Sequence, residues 1–249
     1  MTTNKKQIVI VGATSAIAEQ CARIWIKEAP TELILISRDA KKTEALAIDL
    51  RLRSTEASVR VFAVDFFDIV AIATLIDELC AERCPDIVLI AHGSLSDQAQ
   101  CQQDLVAVCE ALEINGMSPA LFAEGFAGHM AKHNAGTLAL IGSVAGDRGR
   151  KSNYIYGAAK GLITRYAQGL QHRFAGTNVK VVLIKPGPTA TPMTAHLPQQ
   201  GLASAVAVAS YIVKGIQQGK AVVYAPGKWA LIMMIIRHLP AFVFNKLNI

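Results

Sequence analysis

Short apolar runs alternate with longer amphipathic stretches along the whole chain, and this alternation limits the folds that the sequence can adopt. Most of the short runs are continuous in Val, Ile, Leu and Ala, which is typical of parallel strands covered on both faces. The predicted strands are residues 7–11, 33–37, 59–64, 87–91, 138–142, 179–184 and 221–224.

Stretches long enough for crossover helices separate these strands, at 15–28, 39–53, 68–82, 104–132, 154–174 and 202–218. The pattern predicts an α/β, single-domain Rossmann fold, in which helices flank a doubly wound, seven-stranded parallel sheet. Within this one catalytic domain of 249 residues we expect a cofactor half of about 1–110 and a catalytic and substrate half of about 111–228. An apolar and basic tail, 229–249, follows.

Composition narrows the classes of function. Apolar residues make up 52% and charged residues 18%, so we expect a large core rather than disorder. The formal charge of +6 suits phosphate-rich partners or an anionic membrane surface, but the basic residues are scattered and indicate no nucleic acid. The start of the chain lacks a secretory pattern, which favours a cytoplasmic protein. His129 and His133 have no third ligand nearby, so we expect no metal.

The first strand is followed by a turn of small residues and then by a helix. Backbone N–H groups and the helix N-terminus would face a pyrophosphate there. Ala16 and Ala18 stand where dinucleotide-binding proteins usually have glycine, and an ordinary strand–helix turn remains the alternative. The predicted cofactor contacts in this turn are Gly12, Thr14, Ser15, Ala16 and Ile17.

The second strand ends at Ser37 and Arg38 rather than at a carboxylate. An Asp or Glu at this position would bond a ribose 2′-hydroxyl and repel a 2′-phosphate, whereas a guanidinium can bind that phosphate bidentately. We therefore predict that NADP(H) is preferred over NAD(H). A solvated basic loop is the alternative interpretation.

Two further strand ends supply predicted cofactor contacts. Asp65 and Phe66 follow the third strand, where an Asp could meet the adenine amino group. Ala91, His92 and Gly93 follow the fourth strand, and a glycine there lets the backbone approach the cofactor closely.

Tyr156 and Lys160 begin the helix that follows the fifth strand. Residues four apart share a helix face, so the phenol and the ammonium lie on one side. A free phenol has a pKa near ~10, and a cation at about 4 Å in an effective dielectric of about 20 would lower it by about three units. The pair therefore predicts general acid–base catalysis by Tyr156.

Two polar residues complete the predicted catalytic set. Ser143 follows the fifth strand and could donate a hydrogen bond to a substrate carbonyl oxygen. Asn115 lies inside a long predicted helix, where it could bend the helix and hold a water that links Lys160 to solvent.

Over essentially its whole length, the chain resembles the short-chain dehydrogenase/reductase superfamily. The resemblance implies that Asn115, Ser143, Tyr156 and Lys160 form a catalytic tetrad. It also implies that the segment 185–191 covers the nicotinamide. The residues of this segment that the resemblance assigns to the cofactor site are Pro186, Gly187, Thr189 and Thr191. Ala16, Ala18 and the pair Ala91–His92 depart from the family pattern.

The segments 152–156, 193–197 and 233–240 give a narrower resemblance to decaprenylphosphoryl-2-keto-pentofuranose reductases. This resemblance implies a 2-keto sugar substrate on a polyprenyl-phosphate carrier, made by a flavin oxidase partner. The alternatives are a general NADP(H) carbonyl, 3-oxoacyl or hydroxysteroid reductase, and a sensor that binds NADP without turnover. The complete Tyr–Lys pair argues against a sensor.

The tail Trp229–Ile249 contains eight consecutive apolar residues, far fewer than the roughly 20 that cross a bilayer. Apolar and aromatic residues beside Arg237, His238 and Lys246 suit an interfacial helix on anionic lipid at the inner face of the membrane. A packed C-terminal helix or a subunit interface would explain the same pattern. We expect a homodimer or homotetramer.

Overall fold

A computed structural model describes residues 5–196 and 198–247. Across this part of the chain, seven strands form one parallel sheet, as predicted. They are β1 (Lys6–Val11), β2 (Thr31–Ser37), β3 (Ser58–Ala63), β4 (Ile87–Ile90), β5 (Thr137–Ile141), β6 (Lys180–Pro186) and β9 (Val222–Ala225). Two short strands, β7 (Thr189–Ala190) and β8 (Ala203–Ser204), pair separately.

The strand order is β3-β2-β1-β4-β5-β6-β9, so the direction of winding reverses between β1 and β4. Val9 of β1 lies beside Ile34 of β2 on one side and Val88 of β4 on the other. A crevice opens at the carboxyl ends of strands at such a reversal, and ligands of doubly wound sheets bind there. The predicted α/β Rossmann fold is confirmed.

Helices cover both faces of the sheet and bury two apolar cores. The helices are α1 (Ala16–Glu28), α2 (Ala40–Arg53), α3 (Ile69–Glu82), α4 (Gln98–Cys101), α5 (Leu105–Leu112), α6 (Ser118–His133), α7 (Tyr154–Arg173), α8 (Ala205–Gln217), α9 (Lys228–His238) and α10 (Ala241–Phe244). One core lies under α1, α2 and α8, and the other lies under α3, α6 and α7.

The long helix predicted at 104–132 is interrupted by a π-helical turn, Glu113–Met117, between α5 and α6. This helical run, Leu105–His133, is long and apolar enough by composition to cross a membrane. Its α6 part packs Phe122, Phe126 and Met130 into the core without solvent exposure, and this packing explains much of its apolar character.

The tail folds into α9 and α10, which lie beside the catalytic half. Trp229 is half-buried and Met233 is buried, whereas Leu231, Met234 and Ile235 are exposed. Of the segments singled out in the sequence, residues 197, 248 and 249 lie outside the described residues.

Candidate active site

A cavity of about 730 Å³ lies at the carboxyl ends of β1, β2, β4, β5 and β6. All the predicted site residues except Asp65 line it, so the fold brings the two halves of the predicted site together. Their individual roles in binding and catalysis stay predictions. This volume lies within the usual range of ligand pockets, about 300–1,000 Å³.

Asp65 does not line the cavity. Its carboxylate is exposed, and Oδ1 accepts the backbone N–H of Phe67 at 3.0 Å, so the side chain stabilises its own turn. The next residue, Phe66, is buried, and its ring lies 4.4 Å from the ring of His92.

The turn after β1 needs its glycine for space. Gly12 has φ +80°, and a Cβ built there would lie 2.6 Å from the backbone nitrogen of His92. Ser15 precedes α1, but its side chain makes no capping bond to the first turn. The first N–H groups of α1 therefore have no partner from that side chain, at a helix end suited to binding an anion.

The turn after β2 holds Ser37 and Arg38 in different environments. The Ser37 hydroxyl is buried, accepts the N–H of Asp39 at 3.0 Å and contacts the Thr43 hydroxyl at 2.5 Å, so it shapes the turn. Arg38 is exposed at the cavity rim, with its guanidinium 5.8 Å from the Phe66 ring centroid. Lys42 lines the same end of the cavity.

The carboxylate of Asp39 is the acidic group at that end of the cavity within the described chain. It caps α2 by accepting the N–H of Lys42, and the ammonium of Lys42 lies 3.6 Å away. The pKa of Asp39 is lowered, first by the backbone hydrogen bond from Lys42. Asp39 therefore offsets the positive charge of Lys42. Arg38 has no acidic partner among the described residues, so this end of the cavity keeps a net positive charge.

His92, one of the residues that depart from the pattern of the resemblance, is buried. Its Nε2 lies 3.0 Å from the hydroxyl of Ser118, and Nδ1 has no hydrogen-bond partner within the described part of the chain. Burial, followed by the charges of Lys160 and Arg38, lowers the pKa of His92 well below its usual value. The imidazole is therefore neutral near pH 7.

The π-helical turn presents Asn115 to the cavity. Its Nδ2 donates to the carbonyl of Ala111 at 2.9 Å, and its Oδ1 accepts the N–H of Ser94 at 2.9 Å. A π-turn shifts the helical register locally and is frequent at functional sites. A Cβ on Gly93 would lie 2.7 Å from Asn115 Oδ1 and 3.3 Å from Lys160 Nζ, so only glycine fits this approach.

Tyr156, Lys160 and Ser143 meet at the opposite end of the cavity. The ammonium of Lys160 is buried, donates to the carbonyl of Ile141 at 3.2 Å and lies 5.8 Å from the Tyr156 ring centroid. The backbone N–H of Ala145 donates to the Ser143 hydroxyl at 3.1 Å, which fixes that side chain beside the phenol.

The expected lowering of the Tyr156 pKa by Lys160 is wrong. Burial raises the pKa of Tyr156, while a hydrogen bond from Ser143 and the charge of Arg150 lower it. Burial also lowers the pKa of Lys160 to about 8. The expectation assumed an ammonium about 4 Å from the phenol in an effective dielectric of about 20, whereas Lys160 is buried and Tyr156 is half-buried, and such an environment disfavours the charged forms of both groups.

Further cavity residues are not among the predicted site residues. Arg150 and Asn153 belong to the loop between Ser143 and Tyr156, where no motif includes Arg150 and Asn153 lies in the segment 152–156 without a predicted role. Met193 and Thr194 lie in the segment 193–197 of the narrower resemblance. The other cavity residues outside the predicted set are Asp39, Lys42, Leu95, Ile114, Ile141, Gly142, Val144, Ala145, Pro188 and Pro192.

A buried ion pair anchors the start of that loop. The carboxylate of Asp147 contacts the ammonium of Lys185 and accepts the hydroxyl of Tyr224 at 2.8 Å. The side chains of Asp147 and Lys185 are 1% and 4% exposed. This network joins the loop after β5 to the ends of β6 and β9. It therefore fixes the position of that loop relative to the carboxyl end of β6, which also lines the cavity.

The next residue in the loop, Arg148, binds the tail. Its guanidinium donates to the carbonyls of Ile236 and Leu239, each at 2.6 Å, and lies 3.8 Å from the Phe244 ring centroid. The carbonyls at the C-terminal end of α9 thereby find a cationic partner. The tail is thus held by the same loop that carries Arg150.

The fold and cavity define a Rossmann-type protein with an acid–base side chain at one end of a long ligand cavity, the architecture of a dehydrogenase or reductase. Residues 6–202 match the family model described as short chain dehydrogenase. The chain therefore belongs to the short-chain dehydrogenase family and is an oxidoreductase.

Relatives and solved structures agree with this family. The chain is 30% identical to an uncharacterized oxidoreductase of Mycobacterium tuberculosis over 98% of both chains. It is 29% identical to one from Streptomyces coelicolor, over 97% of this chain and 96% of that one. A short-chain dehydrogenase from Sphingobium yanoikuyae, solved with NADPH, has a TM-score of 0.82 at 20% identity and covers 95% and 97% of the two chains. That likeness shows the fold.

Proposed function

We propose that the protein is an NADPH-dependent reductase that converts a ketone to an alcohol, with Tyr156 as the proton donor. The observation that carries this proposal is the meeting of Tyr156, Ser143 and Lys160 at one end of the cavity. Bound NADPH would supply a hydride to the carbonyl carbon. The phenol of Tyr156 would give its proton to the carbonyl oxygen, and Ser143 would hydrogen-bond that oxygen as negative charge develops.

The pKa of Tyr156 is raised, so the phenol is protonated near neutral pH, which is the state that a proton donor to a ketone requires. Lys160 contributes a buried cation beneath the phenol, and this charge would stabilise the phenolate left after proton transfer. The backbone of Gly93 lies close to both that ammonium and the side-chain amide of Asn115.

The other end of the cavity fits a dinucleotide phosphate. Gly12 and the N-terminus of α1 would hold the pyrophosphate, and Arg38 with Lys42 would bind the 2′-phosphate. Pro186, Gly187, Thr189 and Thr191 line the wall nearer Tyr156, where the nicotinamide would lie. The Sphingobium yanoikuyae protein, solved with NADPH, supports this choice of cofactor.

For the substrate, we propose a 2-keto sugar on a polyprenyl-phosphate or related carrier, supplied by a flavin oxidase. This proposal rests on the narrower sequence resemblance. Membrane contact through the tail would suit a lipid-linked substrate, and the exposed Leu231, Met234 and Ile235 of α9 supply an apolar face for it. The protein would then act in the cytoplasm, beside the membrane.

We also propose a homodimer or homotetramer. Exposed apolar residues on α5, α6 and α7 and the π-turn form a surface that a second copy would cover: Leu105, Val106, Met117, Leu121 and Leu162. Sedimentation equilibrium tests this proposal, and a monomer at micromolar concentration would contradict it.

Purified protein tests the reaction when NADPH oxidation is followed with the flavin oxidase and a polyprenylphosphoryl ribose. We expect turnover that requires every component and is lost in Tyr156→Phe, whereas NADPH still binds. Tyr154→Phe is the matched control, since Tyr154 lies on the same helix and is 41% exposed. Undiminished activity in Tyr156→Phe would contradict the mechanism. If only simple ketones are reduced, the proposal of a reductase is supported and the proposal of a keto-sugar substrate is contradicted.

A further inference from the structure

We propose that Arg150 binds an anionic group of the substrate, so that the reductase acts on ketones that carry a phosphoryl or carboxylate group close to the reacting carbonyl. This inference rests on the proposed function and adds the charge class of its substrate. It concerns a residue outside the predicted tetrad and outside the predicted cofactor contacts.

The position of Arg150 is the first observation. It lies in the loop between Ser143 and Tyr156 and lines the cavity together with both of them. The loop is fixed at its start, because Asp147 is paired with Lys185 and Arg148 is bound to the tail. At its end, the N–H of Asn153 donates to the carbonyl of Arg150 at 3.1 Å, which closes a turn just before α7.

The second observation is that this guanidinium has no partner within the described residues. The guanidinium of Arg148, two residues earlier, contacts two carbonyls and a ring, whereas the Arg150 side chain makes no hydrogen bond or ion pair with any residue in 5–196 or 198–247. The side chain is half-buried, and burial lowers its pKa without making it neutral at pH 7. A half-buried cation without a partner costs free energy that a bound anion would recover.

The charges of the cavity are the third observation. Its cationic residues are Arg38, Lys42, Arg150 and Lys160, and Asp39 is the carboxylate that lines it within the described chain. Asp39 is paired with Lys42 at the rim next to Arg38, so among the described residues no other acidic side chain lines the cavity near Arg150. An anion placed at Arg150 would therefore meet attraction and no repelling carboxylate.

Arg150 and the cofactor phosphates would occupy different parts of the cavity. Arg38 and Lys42 lie at the end of β2 and the start of α2, whereas Arg150 belongs to the β5–α7 loop beside Tyr156. Arg150 lines the cavity together with Ser143 and Tyr156, and its positive charge lowers the pKa of the Tyr156 phenol. A guanidinium binds phosphoryl and carboxylate groups bidentately, and this geometry would orient the neighbouring carbonyl toward the phenol.

The test compares ketones that differ in charge. Dihydroxyacetone phosphate is compared with dihydroxyacetone, and pyruvate with methyl pyruvate, each with saturating NADPH. We expect the wild type to prefer the anionic member of at least one pair in kcat/KM. Arg150→Ala should reduce this preference about tenfold or more, and Arg150→Lys should keep part of it. Any effect of Arg150 on the Tyr156 pKa acts on both members of a pair and cancels in the ratio.

Lys151→Ala is the matched control, because Lys151 is the adjacent cation, is exposed and does not line the cavity. It should leave the ratio unchanged. A preference that is equal in wild type and Arg150→Ala, or that falls as much in Lys151→Ala, would overturn the proposal.

A second measurement does not depend on turnover. Glycerol 3-phosphate and farnesyl phosphate are titrated into the NADPH complex, and NADPH fluorescence is followed. Saturable binding that weakens about tenfold in Arg150→Ala supports the proposal. Tighter binding of glycerol 3-phosphate would indicate a soluble phosphate ester as the substrate class, and tighter binding of farnesyl phosphate would indicate a lipid-linked one. Absent or Arg150-independent binding of both overturns it. Turnover that persists in Tyr156→Phe would refute the proposed reaction. The titration would still decide whether Arg150 binds an anion, because it does not require turnover.

Discussion

The indole of Trp229 lies directly against Gly187, so that a Cβ on Gly187 would be 1.9 Å from the indole Nε1. Gly187 lines the cavity at the end of β6, and Trp229 belongs to the first turn of α9. The tail therefore supports the cavity wall where the nicotinamide would lie. If the nicotinamide binds there, as proposed, this contact would link cofactor binding to the packing of the tail.

A double-mutant cycle measures this contact. Gly187→Ala should weaken NADPH binding and lower the free energy of unfolding, because the added methyl overlaps the indole. Trp229→Ala should also destabilise the protein, by about 2 kcal/mol, through lost packing of a half-buried ring. The double variant should be more stable than the sum of the two losses predicts, since the methyl then has room. Strict additivity in urea unfolding would contradict the contact.

The cofactor preference should depend on Arg38. Arg38→Ala should weaken NADPH binding by about 1.5–3 kcal/mol, the usual contribution of a charge-assisted hydrogen bond, and should change NADH binding little. Lys41→Ala removes the same charge from an exposed residue that does not line the cavity, and it should leave the preference intact. Fluorescence titrations of the wild type and both variants with NADPH and with NADH give the affinities to compare. Equal losses for NADPH and NADH in Arg38→Ala would mean that the 2′-phosphate is bound elsewhere.

Burial of Lys160 predicts a pH dependence of stability. Its folded-state pKa is about 8, against an ordinary value of 10.5, so the unfolded chain binds more protons between these values. The free energy of unfolding should therefore rise with pH from about 8 to about 10.5, and below about 8 the cost of the buried charge is fully present. Lys160→Met should remove this rise and stabilise the protein near pH 7, by about 3 kcal/mol at most. Parallel pH profiles of the two proteins would show that Lys160 is not buried as described.

Replacing only one member of the buried pair Asp147–Lys185 should lower the free energy of unfolding strongly. Asp147→Ala leaves a buried ammonium without its carboxylate and should lower the free energy of unfolding by about 3–5 kcal/mol. The double variant with Lys185→Met should recover much of this loss, because it removes the unpaired charge. Tyr224→Phe deletes one hydrogen bond to Asp147 and should cost about 1 kcal/mol. Urea unfolding near pH 7 measures all three, and a mild effect of Asp147→Ala would contradict the buried pair.

The sheet could be predicted closely from the sequence, and the reason is visible in its composition. Continuous apolar runs such as Ile87–Ile90 occur only where both faces are covered, and most predicted strand ends lie within two residues of the observed ones. Motif residues at these ends reach one cavity because parallel strands finish at one edge of the sheet. Tyr156 and Lys160 needed only helical spacing to be placed together.

What the sequence could not reveal depends on contacts between distant segments. The π-turn at Asn115 forms where that amide meets the backbone of Ser94, a contact that local patterning does not encode. Asp65 bonds its own turn instead of reaching the cavity, and nothing in its position distinguishes the two outcomes. Arg148 and Arg150 are two positions apart and indistinguishable by sequence pattern. In the structure Arg148 binds carbonyls of the tail, whereas Arg150 lines the cavity.

The central place of β1 has a consequence during synthesis. β1 is synthesised well before its partner β4, as the hydrogen bond from the Gln7 N–H to the Asp86 carboxylate, 79 residues away, illustrates. At about 5–20 residues per second, one edge of β1 stays unpaired for roughly 4–16 s. During this interval a nascent apolar strand presents free backbone groups, which is the kind of surface that chaperones bind and that drives aggregation when they are scarce.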